Sequence, residues 1–287
     1  MKTKSFTLIE LLVVIVIIGI LAGVIIVSTS SSIGKANFAK AQAFSNTVQQ
    51  ELLLNLVSEW TFDNESKLGE DTWGNYDGTL NGEPQLKTKG ECVHGTCLFF
   101  DGVDDYIFLN KTVSLTYNNF TISWWMKKSL SRYESLFSNY PGATCGHVEL
   151  RTNNEIRFEG STNEVYTRFM PTNLVISDGK WHNYFLSSSP TDFKLYVDGV
   201  ETFNSTPNTD AVNQTFNYIG LEQSQITYIY GKYFTGTLDD VRIYNAALST
   251  SQIKQNYIAG LNSLLANNSI SEKEYNERIN SLALHDD

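Results

Sequence analysis

The stretch from Phe6 to Val27, FTLIELLVVIVIIGILAGVIIV, limits what this chain can be more than any other part of it. At about 1.5 Å per residue, it is long enough to cross the roughly 30 Å hydrocarbon layer of a bilayer as a helix. A short basic leader, MKTKS, precedes it, and one ionisable side chain, Glu10, interrupts it. A secretory signal has an apolar region of about 7 to 15 residues ended by a small-residue cleavage site. Here the small residues, Ser28 to Ser32, follow a much longer run. A carboxylate inside an apolar helix costs about 2.5 to 3.5 kcal/mol on insertion scales, so Glu10 needs a functional partner. Gly19 and Gly23 form a G-x-x-x-G pair, which lets two helices approach closely in lipid.

The residues Ser5, Phe6, Thr7, Leu8, Ile9, Glu10, Leu11 and Leu12 resemble the cleavage and methylation motif of type IV pilins and pseudopilins. That resemblance implies that a prepilin peptidase cuts between Ser5 and Phe6 and that the new N-terminus is methylated. It implies that Glu10 meets the terminal amine of a neighbouring subunit during assembly. Ser5 stands where the family mostly has Gly. The expected location is the cytoplasmic membrane before assembly, then an extracellular pilus or periplasmic pseudopilus, with the rest of the chain outside the cytoplasm.

No proline occurs before Pro84, and Phe44, Val48, Leu52 and Leu56 recur every four residues beside Ala36, Ala39 and Ala43. This is one apolar stripe on an otherwise polar helix. Continuous helix from Phe6 to Val57 would be about 78 Å long, a length and two-part character that also resemble pilins; a break at Ser28 to Ser32 or at Gly34 is the alternative. The chain of 287 residues, 41% hydrophobic and 13% aromatic, has ample material for a core. Its formal charge of −10 excludes nucleic acid as a natural partner of the head, because phosphate binding needs a basic face.

From Glu59 the pattern changes to short aromatic and β-branched runs such as FTISWWMK (Phe120 to Lys127), WHNYFL (Trp181 to Leu186) and FKLYV (Phe193 to Val197). Asp198-Gly199, between FKLYV and VETF, predicts a tight hairpin turn, which needs positive φ. Many short strands without helical periods between them predict a sandwich or jelly roll. Trp60 to Asp63, DTWGNYDG (Asp71 to Gly78), FDGVDDY (Phe100 to Tyr106), FKLYVDG and GTLDDVRIYNAAL (Gly236 to Leu248) resemble laminin G-like, concanavalin A-like jelly-roll domains, in family order. The family contains carbohydrate-binding modules, enzyme appendages and structural domains, so the fold alone leaves function open.

Acidic residues cluster at both ends of this region, and first and last strands often adjoin in jelly rolls. Their oxygens could converge on one Ca²⁺, which takes six to eight such ligands. The resemblance implies the same structural calcium, and the expected ligands are Asp63, Asp71, Asn75 and Asp240 with backbone carbonyls. Asp104 and Asp105 suit turn chemistry better. For a glycan, the candidates are Trp125, which alternation puts on the face opposite Trp124, and the tyrosines Tyr228 and Tyr230 with Tyr233 in ITYIYGKYF.

Catalysis is not expected. Glycosidases need two carboxyls about 5 to 10 Å apart, whereas Glu155 and Glu159 lie in a strand-like segment that separates them by about 13 Å. His182 follows Trp181 in a strand, and no serine sits in a nucleophile elbow. Cys92 and Cys97 flank a short loop and can form a disulfide in an oxidising compartment; Cys145 is left over.

After Leu248, Ser249 with Gln252 and Ser271 with Glu274 read as capping boxes opening two amphipathic helices separated by Asn267-Asn268-Ser269. The second part resembles C-terminal helical hairpins of the SHOCT type. The reading is therefore an α+β chain: leader 1–5, pilin helix 6–57 with a membrane span at 6–27, an all-β jelly roll at 59–248, and a helical tail at 249–287. It predicts a filament subunit, polymerising with other pilin subunits, whose lectin-like head binds glycans in adhesion. The alternative is a structural pseudopilin of a secretion or DNA-uptake machine, with a head that binds only protein.

Overall fold

The computed structural model describes residues 52–116, 118–139, 147–159, 167–207, 214–222 and 233–284. The chain divides into two compact units, Met1–Gln50 and Glu51–Asp287, and the second holds all the described residues. Ser5, Phe6, Glu10, Gly19, Gly23, Cys145, Tyr228 and Tyr230 lie outside them. Among the described residues no helix is long and apolar enough to cross a membrane; Phe6 to Val27 is not among them.

Among the described residues fifteen strands follow one another: β1 (Leu56–Trp60), β2 (Gly78–Asn81), β3 (Gln85–Lys87), β4 (Cys97–Asp101), β5 (Tyr106–Leu115), β6 (Phe120–Lys127), β7 (Glu134–Ser138), β8 (His147–Leu150), β9 (Glu155–Glu159), β10 (Thr167–Pro171), β11 (Trp181–Ser188), β12 (Phe193–Val197), β13 (Val200–Ser205), β14 (Gln214–Ile219) and β15 (Thr235–Tyr244). Two helices close the described chain, α1 (Thr250–Ala266) and α2 (Glu272–Ala283). One sheet runs β13-β12-β11-β6-β15-β4-β3 with β1 added on β15; the other runs β10-β9-β8-β7-β14-β5-β2. All pairings are antiparallel, and the two sheets form a jelly-roll sandwich.

Period-two alternation builds the layer between the sheets. Phe120, Ile122, Trp124 and Met126 of β6 and Ile107, Leu109, Val113 and Leu115 of β5 point into one buried cluster. Asp198 and Gly199 both have positive φ, 52° and 77°, and form the tight turn between β12 and β13.

The start of the described chain corrects one expectation. Residues 52–55 are helical, but Leu56 and Val57 already belong to β1, where Leu56 pairs with Tyr244. A spacing of four residues stays on one face of a helix and also on one face of a strand. Leu52, Leu56 and Trp60, all buried, therefore fit either element, and pairing with β15 decides.

The C-terminal helices form an antiparallel hairpin against the outer face of the β6-containing sheet. Ser249 caps α1 with the full reciprocal box to Gln252, and Ser271 caps α2 by accepting the Glu274 N–H. Between hairpin and sheet lies a second core of Trp125, Trp181, Tyr257, Leu261, Leu264 and Leu282. The Cys92–Cys97 disulfide, with Cα atoms 5.5 Å apart, is buried at its edge. Its loop is tied to the hairpin by hydrogen bonds from Ser263 and Asn267 to the Val93 carbonyl and from Ser269 to that of Cys92.

Candidate functional site

Trp125 is not a sugar platform. Alternation does place it on the outer face of β6, but that face is roofed: Trp125 is 2% exposed and stacks on Tyr257 of α1 with ring centroids 5.7 Å apart. A Cβ at Gly260 would stand 2.2 Å from the Trp125 ring, so the helix lies directly on the indole.

The expected metal ligands lie at the seam between β1 and β15 without forming a common oxygen cage. Asp71 is 6% exposed, and its Oδ1 accepts the backbone N–H groups of Glu59, Trp73 and Gly74 at 2.9, 3.1 and 2.8 Å. Its Oδ2 accepts that of Tyr76 at 3.1 Å. Asp63 accepts the Thr96 N–H at 2.7 Å, and Asn75 is exposed. Asp240, 2% exposed and at φ 48°, meets His94 Nδ1 at 2.5 Å and accepts from Arg242 at 3.0 Å. Burial would raise the Asp240 pKa, but Arg242 and His94 outweigh it and hold the carboxyl below its ordinary value. Neighbouring Asp239 is fully buried and takes the Val93 and His94 N–H groups on Oδ2. Burial first, then the charge of Asp240, lifts its pKa well above the usual carboxylate range.

Among the described residues the carboxylates that do gather, within 4.8 Å of one another, are Asp101, Asp104 and Asp105. Asp105 serves a turn, as the sequence suggested for it: it accepts the N–H groups of Glu83 and Asp101, and Asp101 accepts that of Val103.

His182 is also structural. It lies between Asp198, 2.7 Å from Nδ1, and Asp178, 3.2 Å from Nε2. Burial alone would lower its pKa, but the Asp198 hydrogen bond and the two carboxylate charges raise it above the ordinary 6.5. A raised histidine pKa contributes stability that is complete below the unfolded value and disappears as pH rises through the folded one. Thermal midpoints should therefore fall more steeply between pH 6 and 8 in the native chain than in His182→Gln. Parallel pH profiles would show that the pair contributes nothing.

Among the described residues no helix covers the opposite sheet, and a ladder of aromatic rings lies on its outer face. Phe108 of β5 packs against Tyr218 of β14 at 5.2 Å between centroids, Tyr218 against Tyr106 at 5.9 Å, and Tyr106 against Tyr233 at 6.3 Å. Phe108 is 38% exposed and the three tyrosines are half-buried. β5–β14 pairing sets Phe108 opposite Tyr218, and β2 adds Thr79, hydrogen-bonded to Asn110, beside them. The negative charge of Asp104 reaches Tyr233, whose pKa burial and neighbouring Tyr106 and Asp104 all raise. Tyr233 sits just ahead of the first residue of β15, so the ladder extends toward that end of the strand. Contiguous rings, tilted 40° to 56° to one another and flanked by hydroxyl, amide and carboxylate groups, make a surface on which a sugar ring can lie and be hydrogen-bonded at its edge.

Comparison with known proteins agrees with the fold. Residues 101–254, more than half of the chain, match the profile of the concanavalin A-like lectin/glucanases superfamily. The chain belongs to that superfamily. Residues 1–26 match the prokaryotic N-terminal methylation motif. The protein is thus pilin-like, with a membrane-anchoring N-terminal segment and a lectin-like head.

A similar solved structure is domain 4 of AbnA, a family 43 extracellular arabinanase from Geobacillus stearothermophilus, in complex with arabinotriose. It is 22% identical with a TM-score of 0.53, over 70% of this chain and 97% of that one. The binding domains of Paraclostridial Mosquitocidal Protein 1 (19% identity, TM-score 0.57) and of botulinum neurotoxin serotype D (16%, 0.56) align over 74% and 75% of this chain. This chain spans only 53% of either toxin domain. At these identities the likeness is one of fold. The comparison with curated protein sequences gave no match.

Of the lectin-like head's ladder, sequence reasoning reached only Tyr233. The available signal was the outward alternation of Tyr106 and Phe108 in YIFLNKTVSL; the partner strand that completes the patch could not be read from it.

Proposed function

We propose that this protein is a filament subunit whose lectin-like head binds glycans through the Phe108–Tyr218–Tyr106–Tyr233 ladder, in adhesion or surface attachment. The observation that carries this reading is an asymmetry between the two sheets. Among the described residues the outer face of one is filled by the helical hairpin, whereas the other offers contiguous, partly exposed rings beside polar groups. The head binds rather than cleaves in this reading: His182 is committed to two aspartates and Glu155 to Asn153. The peptidase and neighbouring pilin subunits are its partners in maturation and assembly.

The test is retention of the isolated head, Glu51 to Asp287, on a panel of polysaccharides. Arabinan is a reasonable first member, because domain 4 of AbnA was solved with arabinotriose. Phe108→Ala and Tyr218→Ala should each weaken binding about tenfold, roughly 1.4 kcal/mol, as expected for loss of one stacking ring. Unchanged affinity would remove the ladder from the site. A folded head that binds no polysaccharide would favour the pseudopilin reading, with protein partners only.

A further inference from the structure

The resemblance to laminin G-like domains implies a calcium ion at the seam between the first and last strands, and the residues found there do not suit one. A carboxylate offers about four lone-pair sites, and Asp71 uses its own on four backbone N–H groups. Asp240 meets His94 with one oxygen and Arg242 with the other. Among the other side-chain oxygens of the described residues here, Asp239 Oδ1 is buried and makes no hydrogen bond, Asp63 already accepts the Thr96 N–H, and Asn75 is exposed. The Asp239 carboxyl is fully buried and already takes the Val93 and His94 N–H groups on its other oxygen.

Meanwhile the seam contains its own cation. The Arg242 guanidinium donates to Glu59 at 2.7 Å and to Asp240 at 3.0 Å, joining β1 to β15. A guanidinium stays charged at any pH a folded protein meets. His94 adds the disulfide loop to the same carboxylate.

We propose that Arg242, with His94 as second donor, is the internal counter-ion that closes the seam between β1, the disulfide loop and β15 in place of a divalent ion, so that the head stays folded without calcium. A calcium ion entering here would have to displace a guanidinium already held by two carboxylates. Among the described residues it would then find Asp71 filled by four backbone N–H groups and Asp240 still shared with His94, against the six to eight oxygens it requires.

Thermal unfolding of the full-length chain in detergent micelles, followed by tryptophan emission, tests this. The native midpoint should agree within about 1 °C in excess chelator and in millimolar calcium; a saturating structural ion would instead raise it by roughly 5 to 10 °C. Any such calcium-dependent rise overturns the proposal. Arg242→Gln should lower the midpoint by roughly 5 to 10 °C in both conditions, because Asp240 is then buried without its partner. A midpoint that does not move overturns the counter-ion role. If Arg242→Gln does not fold, His94→Gln is put through the same comparison, with a smaller shift expected and the same overturning result.

Discussion

Glu10→Ala should leave the protein inserted in the membrane and abolish filaments. The substitution removes a charge that costs about 2.5 to 3.5 kcal/mol in lipid, so insertion becomes easier. Assembly loses its register signal. A carboxylate and an amine 4 Å apart attract by about 4 kcal/mol at an effective dielectric near 20, before desolvation is subtracted. Without that pair, helices as uniformly apolar as Leu11 to Val27 can pack at several staggers of similar energy. Membrane fractionation should find the variant beside the native protein, and electron microscopy of cells should find no filaments. Normal filaments from Glu10→Ala would refute the assembly role.

Gly260→Leu should unseat the helical hairpin. A Cβ at this position falls 2.2 Å from Trp125 Cζ2 and 2.7 Å from Cε2, and the indole cannot retreat because Tyr257 stacks on it and the sheet lies beneath. Overpacking of a filled core costs about 1 to 3 kcal/mol for small additions, and an isobutyl group lies at or beyond the top of that range. About 3 kcal/mol corresponds to a midpoint roughly 6 to 12 °C lower in a domain of this size. Trp125 and Trp181 would gain water contact, so native-state tryptophan emission should shift to the red, and amides of 250–283 should exchange faster. Gly260→Ala meets the same steric conflict with about 1 kcal/mol of helix propensity in its favour, and its loss should be smaller. A native midpoint for Gly260→Leu would mean that the helix does not lie on the indole.

Much of this protein was determined by sequence alone, for reasons of local chemistry. The apolar run with Glu10 and its small-residue boundary carry a motif that acts before any fold exists. The Asp198-Gly199 turn needs positive φ at two consecutive positions, which few residue pairs tolerate. Ser249 with Gln252 marks a helix start because the capping bonds span three residues. The alternation of FTISWWMK separates Trp124 from Trp125 because successive side chains leave a strand on opposite faces.

Tertiary structure decided what covers each of those faces. Whether Trp125 meets solvent depends on a helix more than a hundred residues later in the chain, and on Gly260 being small enough to rest on it. Asp71 and Asp240 are equally plausible as ligands or as caps until the donors around them are known. Asp71 takes local N–H groups of Trp73, Gly74 and Tyr76, which spacing could suggest, but Glu59 for Asp71 and His94 for Asp240 come from 12 and 146 residues away and are supplied by the fold. Leu56 fits a helix and a strand equally at a spacing of four, and only the β15 backbone settles it. The aromatic ladder is likewise a product of register, since a one-residue slip of β14 against β5 would turn Tyr218 away from Phe108.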